Sequence, residues 1–171
     1  MLTQDLKLTY CRNKSSEVLS CYVDADWAGD VTDRKSTSGY IIKMYGNVIF
    51  WKSKKQNTVT KSSTSAEYVA LSECVSELKT IKDLLSDLNI QILEPINIYE
   101  DNAGAIGIAK HGNFTKNSKY IETHYHFVNE NYVNKVIDVV KVDSEENVAD
   151  ILTKPLGTFK FEKFRVALRI M

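Results

Sequence analysis

Four acidic residues, widely spaced along the 171-residue chain, are of the type that binds catalytic metal ions. Asp24 lies in an acidic cluster at the end of a strand-like run, Glu67 opens a long helical pattern, Asp101 ends an apolar run and Asp150 lies near the C-terminus. Carboxylate oxygens are hard ligands that favour Mg²⁺ or Mn²⁺ over zinc. Two such ions about 4 Å apart can stabilise the attacking and leaving oxygens of phosphodiester cleavage. The sequence therefore suggests metal-dependent hydrolysis of a phosphodiester.

The elements that must position these acids begin with three strand-like runs. Residues 17–24 alternate between two faces and end at Asp24. Residues 40–45 and 48–51 favour β-structure and are separated by Gly46 and Asn47, a pair typical of hairpin turns. We therefore expect the first three strands to form an antiparallel meander.

A long amphipathic helix is predicted from Thr64 onwards. Thr64 and Glu67 match a capping box, in which the glutamate would only bind a backbone N–H of the first turn. From the local sequence, Glu67 could have either this capping role or a metal-binding role. The apolar residues on the same face as Glu67 recur at intervals of three and four over about six turns and are Leu71, Cys74, Leu78, Ile81, Leu85 and Leu88.

A second strand and helix follow. Residues 95–101 are typical of a strand and residues 102–110 of a short helix. A crossover through the long helix implies that this strand pairs in parallel with the first, so that Asp24 and Asp101 meet at the carboxyl edge of the sheet. Two alternatives stay open. Glu100 could point inward in place of Asp101, or Asp101 could cap the following helix and have no other role.

The last part of the chain carries the fourth acid. The pattern predicts a helix over about residues 121–133, a strand over residues 136–142, and a helix that Asp143 caps and that ends before Pro155. On such a helix, Asp150 would by default face solvent. Residues 159–170 have helical spacing and are expected to pack on the domain or on a neighbour.

Charge and composition narrow the class of protein. Lys+Arg and Asp+Glu both total 22, so net charge does not indicate a nucleic-acid binder. Residues 46–66, however, contain four lysines and no acid, which is typical either of a phosphate-binding track or of an edge strand protected against aggregation. No apolar run reaches the roughly 18 residues of a membrane span. The three cysteines lack metal-site spacing and are expected to be reduced.

Several phrases of the sequence resemble the ribonuclease H domain of copia-type LTR retrotransposon Pol polyproteins. The resemblance covers roughly residues 17–165, and several long phrases in the right order are more specific than any single acid. The matching phrases are YVDADWAGD at 22–30, RKSTSGY at 34–40, WKSKKQ at 51–56, SSTSAEY at 62–68, DN at 101–102, YHF at 125–127 and ADILTKPL at 149–156.

This resemblance implies an α/β, ribonuclease H-like fold: a five-stranded mixed sheet, three antiparallel strands and then two parallel ones, with helices on both faces. Residues 1–16 would be a remnant of the connection to reverse transcriptase, residues 17–157 the ribonuclease H domain, and residues 158–171 a C-terminal helix or tail. The implied activity is hydrolysis of the RNA strand of RNA–DNA hybrids during reverse transcription, leaving 3′-hydroxyl and 5′-phosphate ends. The protein would act in the cytoplasm, within a virus-like particle, or in the nucleus, without a membrane partner.

The family's site residues carry over by position. Asp24 would bridge two Mg²⁺ ions, for which Mn²⁺ could substitute. Glu67 and Asp101 would hold the ion that delivers the attacking water, and Asp150 would complete the binding site of the other ion. Asp26 is the other candidate in its phrase, and Asp24 is preferred because the family's strand ends there. The implied substrate contacts are Ser62, Ser63 and Asn102 on RNA 2′-hydroxyls, Lys52, Lys54, Lys55 and Lys61 on phosphates, and His126.

The sequence departs from the family at two places. Residues 142–149 lack the histidine that many ribonucleases H have before the last acid, so a histidine-assisted proton transfer or product release is not implied. Tyr120 stands where copia-type sequences usually have histidine.

Three competing interpretations stay open. They are a catalytically degenerate domain that binds nucleic acid or reverse transcriptase, an integrase or transposase of the same fold, and a purely structural module. Glu67 argues against an integrase, because those enzymes have no acid at the start of the first long helix.

Overall fold

A computed structural model of the chain describes residues 5–12, 15–30, 32–112 and 122–171. Within these ranges the chain forms five β-strands, four α-helices and one short 3-10 helix. In chain order they are β1 (Leu19–Asp26), β2 (Thr37–Met44), β3 (Asn47–Lys55), α1 (Ser63–Asp87), β4 (Ile96–Glu100), α2 (Ala103–His111), α3 (Glu122–Val133), β5 (Ile137–Lys141), the 3-10 helix (Val148–Leu152) and α4 (Thr158–Ala167).

The strands form a mixed sheet in the order β3-β2-β1-β4-β5. β1, β2 and β3 pair antiparallel, whereas β4 pairs in parallel with both β1 and β5. The predicted meander, the parallel crossover and the five-stranded mixed architecture are therefore confirmed. The hairpin turn lies one residue earlier than predicted, because Tyr45 and Gly46 have positive φ and Asn47 already pairs with Met44.

α1 covers one face of the sheet and buries most of its predicted apolar stripe. Leu71, Cys74 and Leu78 are fully buried in the main core, together with side chains of β1, β2 and β4. The buried stripe ends at Leu85, because Leu88 is exposed where the helix stops. This packing fixes the side of α1 that faces the sheet.

The N-terminus of α1 differs from the predicted capping box. The N-cap is Ser62, whose Oγ accepts a hydrogen bond from the N–H of Ser65 at 3.2 Å. The helix therefore begins at Ser63, and Thr64 already lies inside its first turn. The capping role of Glu67 was wrong, because Thr64 is not the N-cap and Glu67 therefore lies beyond the third helical position that a capping box requires.

The 3-10 helix and α4 cover the other face of the sheet. Phe164 of α4 is fully buried in a second apolar cluster with Ile41, Val48 and Val148. α4 thus packs on the domain, one of the two outcomes expected for residues 159–170, while the boundary after residue 157 stays a prediction. None of the described helices combines the length and the apolar character needed to cross a membrane.

The segment between β5 and α4 is less helical than predicted. Residues 143–146 form a turn in which the Glu146 N–H donates to Asp143 O at 2.8 Å. Asn147 caps the 3-10 helix and donates from Nδ2 to Val23 O of β1 at 2.8 Å. The predicted helix from Asp143 was wrong, because this contact with β1 holds the chain in a turn and a short 3-10 helix instead.

Candidate active site

Asp24 lies near the end of β1, opposite Gly39 of β2. Its carboxyl group is buried, and Thr153 Oγ1 donates a hydrogen bond to Oδ2. Lys154 Nζ lies 3.6 Å from Oδ1. Burial raises the pKa of Asp24 to about 7; the Thr153 hydrogen bond opposes this shift and the neighbouring Asp150 adds to it. Asp24 is therefore an acid that favours a bound proton or cation near neutral pH.

Glu67 lies in the first turns of α1 and is 6% exposed. Its Oε2 atom is buried and has no hydrogen-bond partner among the residues that the structure describes. Burial first, and then the charges of Glu100, Asp24 and Asp101, raise the pKa of Glu67 to about 11. A buried carboxylate oxygen without a partner is costly, so this position favours a proton or a metal ion.

Asp101 follows β4 and is partly buried. The cap of α2 is Asn102, whose Oδ1 accepts from the Ala105 N–H at 3.0 Å, so the capping alternative for Asp101 was wrong. Glu100 points inward, on the same face as Ile98, and is fully buried. Its Oε1 accepts from the Asn102 N–H at 2.8 Å, and burial raises its pKa to about 8. Both acids therefore lie at the site, but in different roles.

Three of the four predicted acids meet at one edge of the sheet. One oxygen from each of Asp24, Glu67 and Asp101 lies within 4.8 Å of the other two. The parallel pairing of β1 with β4 brings two of them together, and α1, which packs on β1, supplies the third. These oxygen donors, one of them buried without a partner, fit Mg²⁺ or Mn²⁺. Asp26, the alternative to Asp24, lies outside this described group.

Asp150 lies beside Asp24 but outside the group of three. It is 1% exposed, so the expectation that it faces solvent was wrong. Two lysines pair with it: Lys154 Nζ lies 2.9 Å from Oδ1, and Lys160 Nζ lies 2.9 Å from Oδ2. Burial acts to lower the pKa of both amines, but the hydrogen bond and charge of Asp150 raise each pKa above its ordinary value overall. Both lysines are therefore charged.

A glycine allows the 3-10 helix to lie close to the sheet. A Cβ atom on Gly39 would lie 2.6 Å from Thr153 Cγ2 and 2.9 Å from Leu152 Cβ. Ser53 Oγ of β3 donates to Leu152 O at 2.6 Å and joins the same segment to the sheet. These contacts hold Asp150 next to β1.

Sequence reasoning missed several residues that shape the site. Three of them lie far along the chain from β1: Asn147 contacts the β1 backbone, and Thr153 and Lys154 contact the carboxylate of Asp24. Lys160 reaches Asp150 from α4. The available signal was the phrase at residues 149–156, which contains Thr153 and Lys154.

The residues predicted to contact RNA 2′-hydroxyls lie at two helix ends near the acids. Ser62 caps α1, Ser63 is exposed at its first position, and Asn102 caps α2. Thr64 Oγ1 donates to Asn102 Oδ1 at 3.3 Å and joins the two helix ends. Contact of these side chains with RNA stays a prediction.

Lys52 and Lys55, which are among the predicted phosphate-binding lysines, are already paired with acids. Lys52 Nζ lies 3.7 Å from Glu77 Oε2, and Lys55 forms ion pairs with Asp30 and Asp33. β3, which carries three of the four lysines, is an edge strand of the sheet. The alternative of lysines that protect an edge therefore agrees with the structure as well.

The remaining predicted substrate residues, Lys54, Lys61 and His126, are exposed. The ring of His126 meets Tyr125 edge-on, with ring centroids 5.1 Å apart. Tyr120 lies outside the described residues. A phosphate track across these side chains stays a prediction.

Comparison with solved structures identifies the class of fold. The chain superposes on LC11-RNase H1, isolated from compost, with a TM-score of 0.61 and 19% sequence identity, over 85% of this chain and 96% of that one. The same protein in complex with an RNA/DNA hybrid matches with a TM-score of 0.55 and 16% identity, over 79% of this chain and 93% of that one. The fold is that of ribonuclease H.

Comparison with known sequences identifies the family. The chain is 42% identical to the retrovirus-related Pol polyprotein from transposon RE2 of Arabidopsis thaliana over 146 residues, which is 85% of this chain. It belongs to the copia-type retrotransposon Pol polyproteins. The match covers only 10% of that relative's length. No protein-family model matches the chain.

Proposed function

We propose that the chain is an endoribonuclease that hydrolyses the RNA strand of RNA–DNA hybrids during retrotransposon reverse transcription. The observation that carries the proposal is the meeting of Asp24, Glu67 and Asp101 within 4.8 Å at the sheet edge of a ribonuclease H fold. A structural neighbour forms a complex with an RNA/DNA hybrid. The partner would be the reverse transcriptase domain of the same polyprotein. The reaction would take place in the cytoplasm, within a virus-like particle, or in the nucleus.

The acids would hold two divalent ions, Mg²⁺ or Mn²⁺. Asp24, Glu67 and Asp101 would hold the first, and Asp24 with Asp150 the second. When bound, the ions would supply Lewis-acid stabilisation of the attacking and leaving oxygens. The chain itself fixes the carboxylates: Thr153 donates to Asp24, and burial limits competing water. Water is the proposed nucleophile, so the products would carry 3′-hydroxyl and 5′-phosphate ends.

Substrate recognition would use the two helix ends and the lysine-rich strand. Ser62, Ser63 and Asn102 would contact 2′-hydroxyls in the shallow minor groove, which distinguishes RNA from DNA. The four lysines of residues 52–61 would contact phosphates without selecting a sequence. Lys52 and Lys55 would first have to exchange an acidic partner for a phosphate.

A catalytically degenerate domain is the second candidate. One observation favours it: Asp150 is already paired with Lys154 and Lys160. Such a domain would bind a hybrid or reverse transcriptase without cutting RNA.

Cleavage of a labelled RNA–DNA hybrid in Mg²⁺ tests the proposal. The wild-type chain should cut only the RNA strand of the hybrid and leave DNA duplexes intact. Asp24→Asn should lower kcat/KM by several orders of magnitude, because it removes the carboxylate that both ions would share. Asp87→Asn, the same change at an exposed position at the other end of α1, is the matched control and should cleave as the wild type does.

The outcomes separate the candidates. Hybrid binding without cleavage by the wild type would support the degenerate domain. Equal cleavage by Asp24→Asn and Asp87→Asn would refute the proposed site.

A further inference from the structure

One half of the acidic centre already contains a positive charge. Lys154 Nζ lies 2.9 Å from Asp150 Oδ1 and 3.6 Å from Asp24 Oδ1. Both carboxylates are almost fully buried, whereas 37% of the Lys154 side chain is exposed. The lysine therefore reaches the two carboxylates from the solvent side of the site.

The other half of the centre has a different environment. Within the described residues, neither Glu67 nor Asp101 forms an ion pair with a lysine or arginine. Glu67 Oε2 is buried there without a hydrogen-bond partner. A divalent ion that binds this half would meet the Lys154 ammonium only at Asp24, where Nζ lies 3.6 Å from Oδ1.

The two lysines at Asp150 also differ from each other. Lys160 has further partners, because its Nζ donates to Ser144 O at 2.8 Å and lies 3.3 Å from Glu145 Oε1. The ion pairs of Lys154 in the described part of the chain are with Asp24 and Asp150 alone. Lys154 is thus the lysine that a competing cation would release.

A divalent ion and the Lys154 ammonium would compete for the same oxygen atoms. Mg²⁺ binds carboxylate oxygens at about 2.0–2.1 Å, closer than the ammonium lies to either carboxylate. Two cations that share these oxygens would repel each other strongly in a partly buried site. The lysine stem is flexible, so its ammonium can move toward solvent.

We propose that Lys154 is the resident counter-ion of Asp24 and Asp150, and that a second divalent ion enters only as its ammonium leaves. This inference rests on the proposed function. The first ion, held by Asp24, Glu67 and Asp101, leaves the shorter ion pair of Lys154, that with Asp150 at 2.9 Å, in place. The two metal positions are therefore unequal, and the released ammonium becomes available to a substrate phosphate.

The number of Mn²⁺ ions bound per chain tests the inference without measuring cleavage. Free Mn²⁺ is counted by its EPR signal while the full chain is titrated in the absence of nucleic acid. The wild type should bind one ion before a second, with the second at least about tenfold weaker. Two ions of equal affinity in the wild type would overturn the inference, whatever the variants do.

Three variants isolate the role of the charge. Lys154→Gln should bind the second Mn²⁺ at least about tenfold more tightly than the wild type does. Lys154→Arg keeps the positive charge and should resemble the wild type. Lys163→Gln is the control, since this α4 lysine contacts Glu146 and Glu145 O rather than the acidic centre. Circular dichroism checks that each variant folds.

The outcomes also separate this inference from the proposed function. If Lys154→Gln binds the second ion no more tightly than Lys163→Gln does, while the first ion still binds, the inference fails and the proposed function stands. If neither Mn²⁺ nor Mg²⁺ binds the wild type and Glu67→Gln leaves its activity on hybrids unchanged, the proposed function fails, and the inference fails with it.

Discussion

The metal-free protein should lose stability as pH rises from acid to neutral, which is the reverse of ordinary acid denaturation. Burial raises the pKa of Asp24 from 3.8 to about 7, and the pKa values of Glu67 and Glu100 are raised as well. The folded chain therefore keeps protons that the unfolded chain has already released. The stabilisation is fully present below the unfolded pKa and is lost as pH rises through the folded pKa. For Asp24 this window runs from about pH 4 to pH 7.

The magnitude follows from proton linkage. One group that is protonated when folded and ionised when unfolded costs about 1.4 kcal/mol of stability per pH unit. Between about pH 4.5 and about pH 6.5, Asp24 alone would then lower the free energy of unfolding by about 3 kcal/mol. For a chain of this size that is a fall in melting temperature of roughly 6–12 °C. Glu67 and Glu100 act in the same direction.

Thermal unfolding followed by circular dichroism in EDTA, at constant ionic strength, measures this dependence. Asp24→Asn should lose about 3 kcal/mol less than the wild type over the same interval, because residue 24 no longer titrates. Mg²⁺ should raise the melting temperature more above pH 7 than near pH 5, where protons occupy the carboxyl groups. A wild-type melting temperature that rises with pH, or one that falls equally in Asp24→Asn, would refute the reasoning.

Three further substitutions probe the site. Glu67→Gln should stabilise the metal-free protein at pH 7.5 by roughly 2 to 4 kcal/mol, because a neutral glutamine does not have to take up a proton on folding as Glu67 does. The same change should weaken binding of the first Mn²⁺ ion, and a less stable variant would contradict the reasoning. Gly39→Ala should cost about 1–3 kcal/mol in urea unfolding and lower hybrid cleavage, because its Cβ overlaps the segment after Asp150, whereas Gly107→Ala, which meets nothing within 4 Å, should not. Asn147→Ala should cost about 1–3 kcal/mol by the same measurement, because it removes the hydrogen bond to a buried carbonyl of β1; an unchanged midpoint would mean that this contact does not hold the turn.

The sheet and the helix that covers it could be predicted because their signals are local. Alternation placed the three antiparallel strands, and the length of the crossover required the strand before Asp101 to run parallel to β1. Once those directions are set, Asp24 and Asp101 must share one edge. The resemblance to copia-type ribonuclease H phrases then selected Glu67 over its local alternative as a helix cap.

The other half of the site depended on contacts that local sequence does not encode. Asp150 appeared exposed because a 3.6-residue period was assumed for its segment, but Asn147 binds β1 and the segment forms a 3-10 helix. The burial of Glu100 depended on which face Ile98 presents to the core. Lys154 belongs to the site because the segment after the 3-10 helix packs beside β1, a contact that local sequence does not reveal.

The two halves of the acidic centre neutralise their charge in different ways. Around Glu67 the raised pKa means that a proton is the default partner, so the proposed binding of a first divalent ion would release protons and strengthen with pH. Around Asp150 the default partners are the ammonium groups of Lys154 and Lys160, so the proposed second ion would compete there with the ammonium of Lys154. Burial of the carboxylates underlies both effects, because it makes an uncompensated negative charge unfavourable at either position. In the proposed metal site, binding would therefore depend on pH in one half and on the movement of one lysine in the other.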